Sequence, residues 1–284
     1  MRTLIQVFFP SDRLYATFFT YLLTCMFSVF ISAVALPRAS QYLWLPLAAL
    51  IPIYRYWQSI SAHWPRLSKE LVRFSDVRVL LKDFTIFLVA VFVVVSLLTV
   101  VLPTSQVNLV FEDAVDSAKA QDVAAHWAKP AYFLQNNAVV IGKVSALSLF
   151  LGTGGSILSG FSAVNSAVFA GLLFRTNMLA GGALPALLSY FGFVVSVLIH
   201  HILELGGFLL VGLAFSLLLD GVLHGKLTKK LLINCGIVAL IGVLAVILGA
   251  FAESILARVL LRFALSLPGI VGAVPADLFQ LEWY

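Results

Sequence analysis

Charged residues are scarce in this chain of 284 residues, where Asp, Glu, Lys and Arg together occupy 11% of the positions. A soluble domain carries roughly 25% of these residues, because it needs them to cover a water-exposed surface. Apolar residues fill 61% of the chain instead. This balance excludes a soluble globule and predicts an integral membrane protein, whose first partner is the lipid bilayer.

Cysteine is nearly absent as well. Cys25 and Cys235 are the only two in the sequence, and both lie in apolar segments. No CxxC motif and no cysteine spacing typical of a metal site occurs, so neither a disulfide framework nor a cysteine-based metal site is predicted. Both thiols are expected to be buried as small hydrophobic side chains.

The hydrophobic runs also lack the alternation of polar and apolar residues that a membrane-spanning β-strand shows. The runs are about 20 residues long, which is the length of a spanning helix. Only helices and closed barrels satisfy every backbone hydrogen bond inside a bilayer. The sequence therefore predicts an all-α fold, a polytopic bundle of transmembrane helices.

The apolar runs predict about seven spans, with a tight Gly-rich turn at residues 152–156. In chain order the runs cover residues 14–36, 42–57, 84–102, 133–152, 157–174, 184–219 and 232–251. The sixth run is unusual, because one helix over 184–219 would be about 54 Å long against a hydrocarbon core of about 30 Å. This helix is expected to be long, tilted and overhanging, or else broken near His200 or at Gly206-Gly207.

The distribution of charge predicts the topology. The basic segments 55–83 and 220–230 are expected on the cytoplasmic side, and the mildly acidic segment 104–129 on the outer side. With seven spans, the N-terminus lies in the cytoplasm and the C-terminus outside the cell membrane. No basic patch interleaved with aromatic residues occurs, so the net charge of +5 predicts no nucleic-acid partner.

The predicted spans and loops divide the chain into three parts. Residues 1–83 form a two-span segment with a basic cytoplasmic loop, residues 84–253 form a five-span membrane core, and residues 254–284 form a tail with an interfacial helix. Another interfacial helix is predicted inside the basic loop. Its apolar residues at helical spacing are Leu67, Leu71, Phe74 and Val77.

Seven polar residues lie inside the predicted spans or at their ends, where an ionisable group costs on the order of 3 kcal/mol. They are Asn136, Asn137, Lys143, Asn165, His200, Glu204 and Glu253. We predict that they form an intramembrane polar set with a structural or a transport role. His200 and Glu204 are four residues apart, so a helix presents both side chains on one face.

The His200–Glu204 pair is compatible with several chemistries. It can relay a proton, or it can hydrogen-bond two helices together. It can also share a metal ion, with Glu253 or Asn137 as a further ligand. The chain contains no HExxH motif, no second HxxE, no GxSxG and no triad-like pattern. The sequence therefore predicts no catalytic residue, no metal ligand set, no cofactor and no enzymatic activity.

Two other members of the set have their own interpretations. Lys143 is expected either to offset the charge of Glu204 or Glu253, or to extend towards the membrane interface. Asn165 lies among small residues, and its amide is expected to hydrogen-bond across a close helix contact. The outcome in each case depends on which way the side chain faces.

The polar residues also form four motifs in a definite order. These are Asn136-Asn137 at the start of the fourth span, Asn165-Ser166 in the fifth, His200 with Glu204 in the sixth, and Glu253 at the end of the last. In this order, residues 84–253 resemble the stage II sporulation protein M family of integral membrane proteins. The two spans before them resemble the N-terminal addition of archaeal-type members.

The family's motifs are Asn-Asn, Asn-Gly, Pro-His-Gly-x-x-Glu and a final Glu. This chain departs from them at three positions, where Ser166, Ile199 and His201 replace glycine, proline and glycine. His201 is therefore left out of the predicted set, whereas His200 and Glu204 match the motif.

The resemblance implies a small polytopic membrane protein. In spore formers the family member acts with peptidoglycan-remodelling partners as a membrane anchor or scaffold. The leading hypothesis is thus a non-enzymatic anchor or scaffold of an envelope-associated complex, with other membrane or envelope proteins as partners. The alternatives are a transporter or permease-like subunit that uses the His/Glu/Lys set, and an intramembrane hydrolase.

Overall fold

The computed structural model describes residues 14–35, 40–67, 69–120 and 130–257. Within these ranges the chain forms eight α-helices and one π-helical turn, and no strand is present. They are α1 (Leu14–Ala35), α2 (Ser40–Leu67), α3 (Phe74–Val101), α4 (Thr104–Ala120), α5 (Pro130–Leu151), α6 (Gly154–Gly181), α7 (Ala183–Leu223), α8 (Lys229–Ala252) and the turn Glu253–Ala257. The predicted all-α helical bundle is confirmed. Most of the tail predicted at 254–284 lies outside the described residues.

Six stretches of the described helices are long and apolar enough to cross a membrane. They are Tyr15–Ala35, Phe74–Val101, Leu134–Leu151, Ile157–Gly181, His200–Leu223 and Lys229–Ile255. The chain is thus a multi-pass integral membrane protein. The difference from the predicted count of about seven concerns α2, in which Arg55, two prolines and several Tyr and Trp residues lower the hydropathy of the expected span 42–57.

The sixth predicted run forms one continuous helix. α7 extends over 41 residues, which corresponds to about 60 Å, so it overhangs the hydrocarbon core or tilts within it. Neither His200 nor Gly206-Gly207 interrupts it. Gly207 is instead a contact point, because a Cβ there would lie 2.5 Å from a side-chain carbon of Val246 on α8.

The prediction of an interfacial helix from Leu67 to Val77 is wrong. α2 ends at Leu67, a turn follows, and α3 begins at Phe74, earlier than the predicted start of its span at residue 84. The reason is Asp76, which accepts a hydrogen bond from the backbone N–H of Arg73 at 2.9 Å and thereby starts α3. Apolar spacing could not reveal this polar helix start.

The acidic segment after α3 is also more ordered than the sequence indicated. Residues 104–120 form α4, although only an outer segment was expected there. One side of α4 is buried, with Val107, Val110, Phe111, Ala114 and Val115. Residues 121–129, in the remainder of this segment, lie outside the described part of the chain.

α7 lies at the centre of the membrane core and packs against α8, α6 and α5. Glycines set two of these contacts. A Cβ on Gly155 of α6 would lie 2.9 Å from the Cα of Gly212 on α7, and a Cβ on Gly207 would lie 2.6 Å from the carbonyl oxygen of Gly242 on α8. Small residues allow transmembrane backbones to approach this closely. The interior of the bundle is therefore assembled around one long helix.

A candidate intramembrane polar site

Four polar residues of three helical elements meet beside α7, and we call them the intramembrane cluster: Asn137, His200, Glu204 and Glu253. Asn137 comes from α5, His200 and Glu204 from α7, and Glu253 from the π-helical turn after α8. The first three are buried, whereas the side chain of Glu253 is 20% exposed. The cluster thus joins α5, α7 and the end of α8.

Short polar distances connect the members of the cluster. The side-chain amide of Asn137 donates a hydrogen bond of 2.6 Å to Oε1 of Glu204. Nε2 of His200 lies 3.9 Å from Oε1 of Glu253. One donor atom each from His200, Glu204 and Glu253 lies within 4.8 Å of the other two. The arrangement follows from helix geometry, because residues four apart on α7 share one face.

Local backbone features bring the two carboxylates together. The helix changes from α to π geometry at Glu253–Ala257, and such turns occur frequently at functional sites. Gly249, one turn earlier, leaves room for Glu204, because a Cβ there would lie 2.5 Å from Cγ of Glu204. A larger residue at position 249 would collide with Glu204.

Three predicted members of the polar set lie outside the cluster. Asn136 and Lys143 are exposed on α5, and Asn165 is exposed on α6. Among the described residues, no ion pair joins Lys143 to Glu204 or Glu253. The prediction that Asn165 donates a hydrogen bond across a close helix contact is also wrong. Within the part of the chain that the structure describes, the side chain of Asn165 is exposed on the outside of α6.

His201, which the resemblance left out, takes part in a contact of its own. Its Nε2 lies 2.5 Å from Oγ of Ser166, so that pair joins α7 to α6. A signal was present in the sequence, since Ser166 and His201 stand at two of the positions where the chain departs from the resemblance. Two departures from the motifs are therefore in contact with each other.

Asn234 makes further polar contacts that were not predicted from the sequence. It is fully buried on α8, accepts a hydrogen bond from the N–H of Val72 at 2.9 Å and donates one to the carbonyl of Glu70 at 2.8 Å. The turn before α3 is thereby fixed to the start of α8. No local sequence pattern indicated this contact, because its partners are backbone groups distant in the chain.

The composition of the cluster limits its chemistry. It contains two carboxylates, one imidazole and one amide. Carboxylates at bilayer depth need a proton or a cation to offset their charge. The cluster is therefore suited to holding a proton or a cation, or to fixing three helices relative to one another.

Comparison with known proteins gives no further assignment. The chain matches no protein-family model, and neither a curated protein nor a solved structure is similar enough to count as a match.

Proposed function

We propose that this multi-pass membrane protein is a non-enzymatic scaffold that anchors an envelope-associated complex in the cell membrane. We also propose its membership of the stage II sporulation protein M family, on the four motifs described above. The observation that carries the scaffold role is an exposed face of α5 that points away from the bundle and combines polar and small residues with the apolar Val139 and Phe150. We call it the outer face of α5: Asn136, Ala138, Val139, Gly142, Lys143, Ala146 and Phe150.

Lys143 is the most informative residue of the outer face of α5. It is the tenth of the 18 residues of the candidate span Leu134–Leu151 and is exposed, so it lies about 12 Å or more from either end. A charge at that depth costs on the order of 3 kcal/mol. A carboxylate on a neighbouring helix would offset that cost, whereas lipid tails would not.

One stripe of this face is suited to close helix contact. Ala138, Gly142 and Ala146 recur every four residues and are all exposed, and a Cβ on Gly142 would meet nothing within 4 Å. Such small-xxx-small stripes let two transmembrane helices approach closely. We infer that the occupant is a transmembrane helix of another protein, with an Asp or Glu opposite Lys143.

The topology belongs to the same proposal. The hydrogen bonds of Asn234 to Glu70 and Val72 put the basic turn before α3 at the same end of the bundle as the basic turn between α7 and α8. Both turns then face the cytoplasm, as the positive-inside rule requires. With α2 as a further crossing, the N-terminus is cytoplasmic and the C-terminus lies outside.

Photo-crosslinking in native membranes tests the scaffold role. A photoreactive amino acid at Gly142 should capture one membrane protein, while the same probe at the exposed Leu240 of α8 should not. Mass spectrometry should place the crosslink on a transmembrane helix with a carboxylate. Lys143→Arg should keep the crosslink, and Lys143→Ala should lose most of it.

Charge reversal then separates a specific pair from simple proximity. Lys143→Glu should abolish the crosslink, and replacing the partner's carboxylate by lysine should restore it. Crosslinks from Gly142 only to lipid or only to a second copy of this chain would reject the proposal. Crosslinking from Gly142 that does not depend on which residue occupies position 143 would also reject it.

Transport remains the second candidate, because the partly exposed Glu253 connects the cluster to its surroundings. It requires that the cluster moves a proton or solute across the membrane. Proton flux into vesicles containing the purified protein measures this directly. If Glu204→Gln leaves the protein folded and assembled but abolishes a flux seen in the parent chain, transport replaces the scaffold proposal.

A further inference from the structure

We propose that the intramembrane cluster binds one divalent transition-metal cation of the zinc class, with His200, Glu204 and Glu253 as ligands. The sequence alone predicted no metal ligand set, because it contains no metal-binding motif with the required spacing. The structure supplies the missing ligand, since it brings Glu253 from the far end of α8 to the His200–Glu204 pair on α7.

The ligand types and their spacing fit such a cation. One imidazole and two carboxylates form a ligand set that zinc sites use, with bond lengths of about 2.0 to 2.2 Å. In a tetrahedral site, neighbouring donor atoms are then about 3.3 Å apart. The donor atoms of His200, Glu204 and Glu253 already lie within 4.8 Å of one another, so small side-chain rotations close the site.

Electrostatics favours a divalent cation over an empty site. Glu204 and Glu253 face each other with Asn137 and His200 as their polar neighbours, and Lys143 points away from them on the outside of α5. A divalent cation bound to both carboxylates neutralises the two charges together and, unlike a proton on each carboxylate, also joins them to His200. In a medium of low dielectric constant the charged pair without such a partner would be costly.

Asn137 acts as a positioning residue for this site. Its amide donates to Oε1 of Glu204 at 2.6 Å and leaves Oε2 available for the cation. Metal ligands are typically oriented by such hydrogen bonds from neighbouring side chains. Gly249 has a comparable effect, because only glycine leaves space for Glu204 to approach the π-helical turn.

The position of the cluster also leaves one of its ligands partly accessible. His200 begins the candidate span His200–Leu223, and Glu253 lies near the end of Lys229–Ile255. The cluster is thus remote from the basic turn between α7 and α8, although α7 itself continues beyond it to Ala183. Glu253 is the most exposed ligand, and three protein ligands leave a fourth position for water.

Metal binding by the purified full-length chain tests the proposal. The protein is reconstituted in lipid nanodiscs, stripped with a chelator, and titrated with zinc. Elemental mass spectrometry after desalting should find about one zinc per chain. Glu204→Gln, Glu253→Gln and His200→Gln should each weaken binding at least tenfold, while Asn137→Ala should weaken it less.

Two matched variants control for non-specific binding by other side chains. Glu112→Gln and His63→Gln change the same residue types outside the cluster and should leave the stoichiometry and affinity unchanged. Cobalt in place of zinc should give the visible absorption of a tetrahedral site with nitrogen and oxygen ligands in the parent chain. Glu253→Gln should lose that absorption while keeping its monodisperse elution.

Either of two outcomes of the zinc titration would overturn the proposal: less than one-tenth of an equivalent of zinc in the parent chain, or equal affinity in the parent chain and Glu253→Gln. If the glutamine variants do not fold, the cobalt spectrum of the parent chain decides, because an absent or octahedral spectrum rejects the site. The crosslinking test of the scaffold role needs no metal. Failure of one proposal is therefore distinguishable from failure of the other.

Discussion

Gly207 of α7 and Gly242 of α8 face each other so closely that a Cβ on either residue would collide with the other's backbone. The distance from a Cβ on Gly207 to the Gly242 carbonyl oxygen would be 2.6 Å, and the reverse distance would be 2.8 Å. Real Cβ atoms do not approach carbonyl oxygens this closely. The contact therefore fixes the separation of α7 and α8, on which the position of Glu253 beside Glu204 depends.

Substitution of Gly207 by alanine should lower the stability of the bundle. The added methyl group meets backbone and the side chain of Val246, neither of which can move cheaply, so we expect a loss of about 1 to 3 kcal/mol. The measurement is thermal unfolding of the detergent-solubilised chain. Gly206→Ala is the matched control, because a Cβ at that neighbouring position meets nothing within 4 Å. Equal midpoints for the two variants would contradict the packing described here.

The hydrogen bond from Asn137 to Glu204 gives a second pair of variants. Asn137→Ala removes the donor and leaves a buried carboxylate oxygen without this partner, so stability should fall by about 1 to 2 kcal/mol. Asn136→Ala, one residue earlier on α5, alters an exposed side chain and should leave the isolated chain unchanged. Unfolding midpoints of the two proteins in the same detergent provide the test. A larger loss for Asn136→Ala would show that α5 is rotated relative to the present structure.

The helices of the membrane core could be predicted from the sequence because their signal is local. Every apolar run from residue 84 onwards became part of a helix, since about 20 apolar residues satisfy their backbone only in that form. The start of α3 could not be predicted in this way. It depends on Asp76, whose bonding partners Arg66 and Arg73 follow no apolar pattern.

The candidate site could be predicted only in part. The resemblance grouped Asn137, His200, Glu204 and Glu253, and the structure places these four together. It also grouped Asn165, which lies elsewhere. The rotation of α5 and α6 decides such cases, and the polar residues of neither helix are confined to one side, so their sequences do not show which side faces the bundle.

Because Arg66 pairs with Asp76 at the start of α3, we expect the loss of the Asp76 carboxylate to destabilise the protein strongly. Two hydrogen bonds of 2.6 and 2.8 Å join the guanidinium to the carboxylate, which is almost completely buried. Asp76→Ala should cost about 2 to 3 kcal/mol, because a buried acceptor for three hydrogen bonds is lost and Arg66 keeps partial access to water. Chemical or thermal unfolding measures the change.

Glu70→Ala is the control for this ion pair. The Glu70 carboxylate also contacts Arg66, at 3.1 Å, but its side chain is 53% exposed. Exposed pairs contribute little, so we expect a change below about 0.5 kcal/mol. The backbone carbonyl of Glu70, which accepts from Asn234, is not altered by the substitution. If Glu70→Ala and Asp76→Ala were equally destabilising, burial would not be the reason for the strength of the Asp76 contact.

Two glycines adopt positive φ in different turns, Gly152 between α5 and α6 and Gly225 after α7, and we expect them to respond differently to substitution by alanine. Gly152 has φ of 71° and would place a Cβ against the ring of Trp57, whereas Gly225 has φ of 62° and nothing nearby. Gly225→Ala should therefore cost only the backbone term of about 1 kcal/mol. Gly152→Ala should cost about 2 kcal/mol more, because the methyl group also displaces the indole. Trp57→Leu combined with Gly152→Ala should recover part of that difference in thermal unfolding. No recovery would mean that the indole does not limit residue 152.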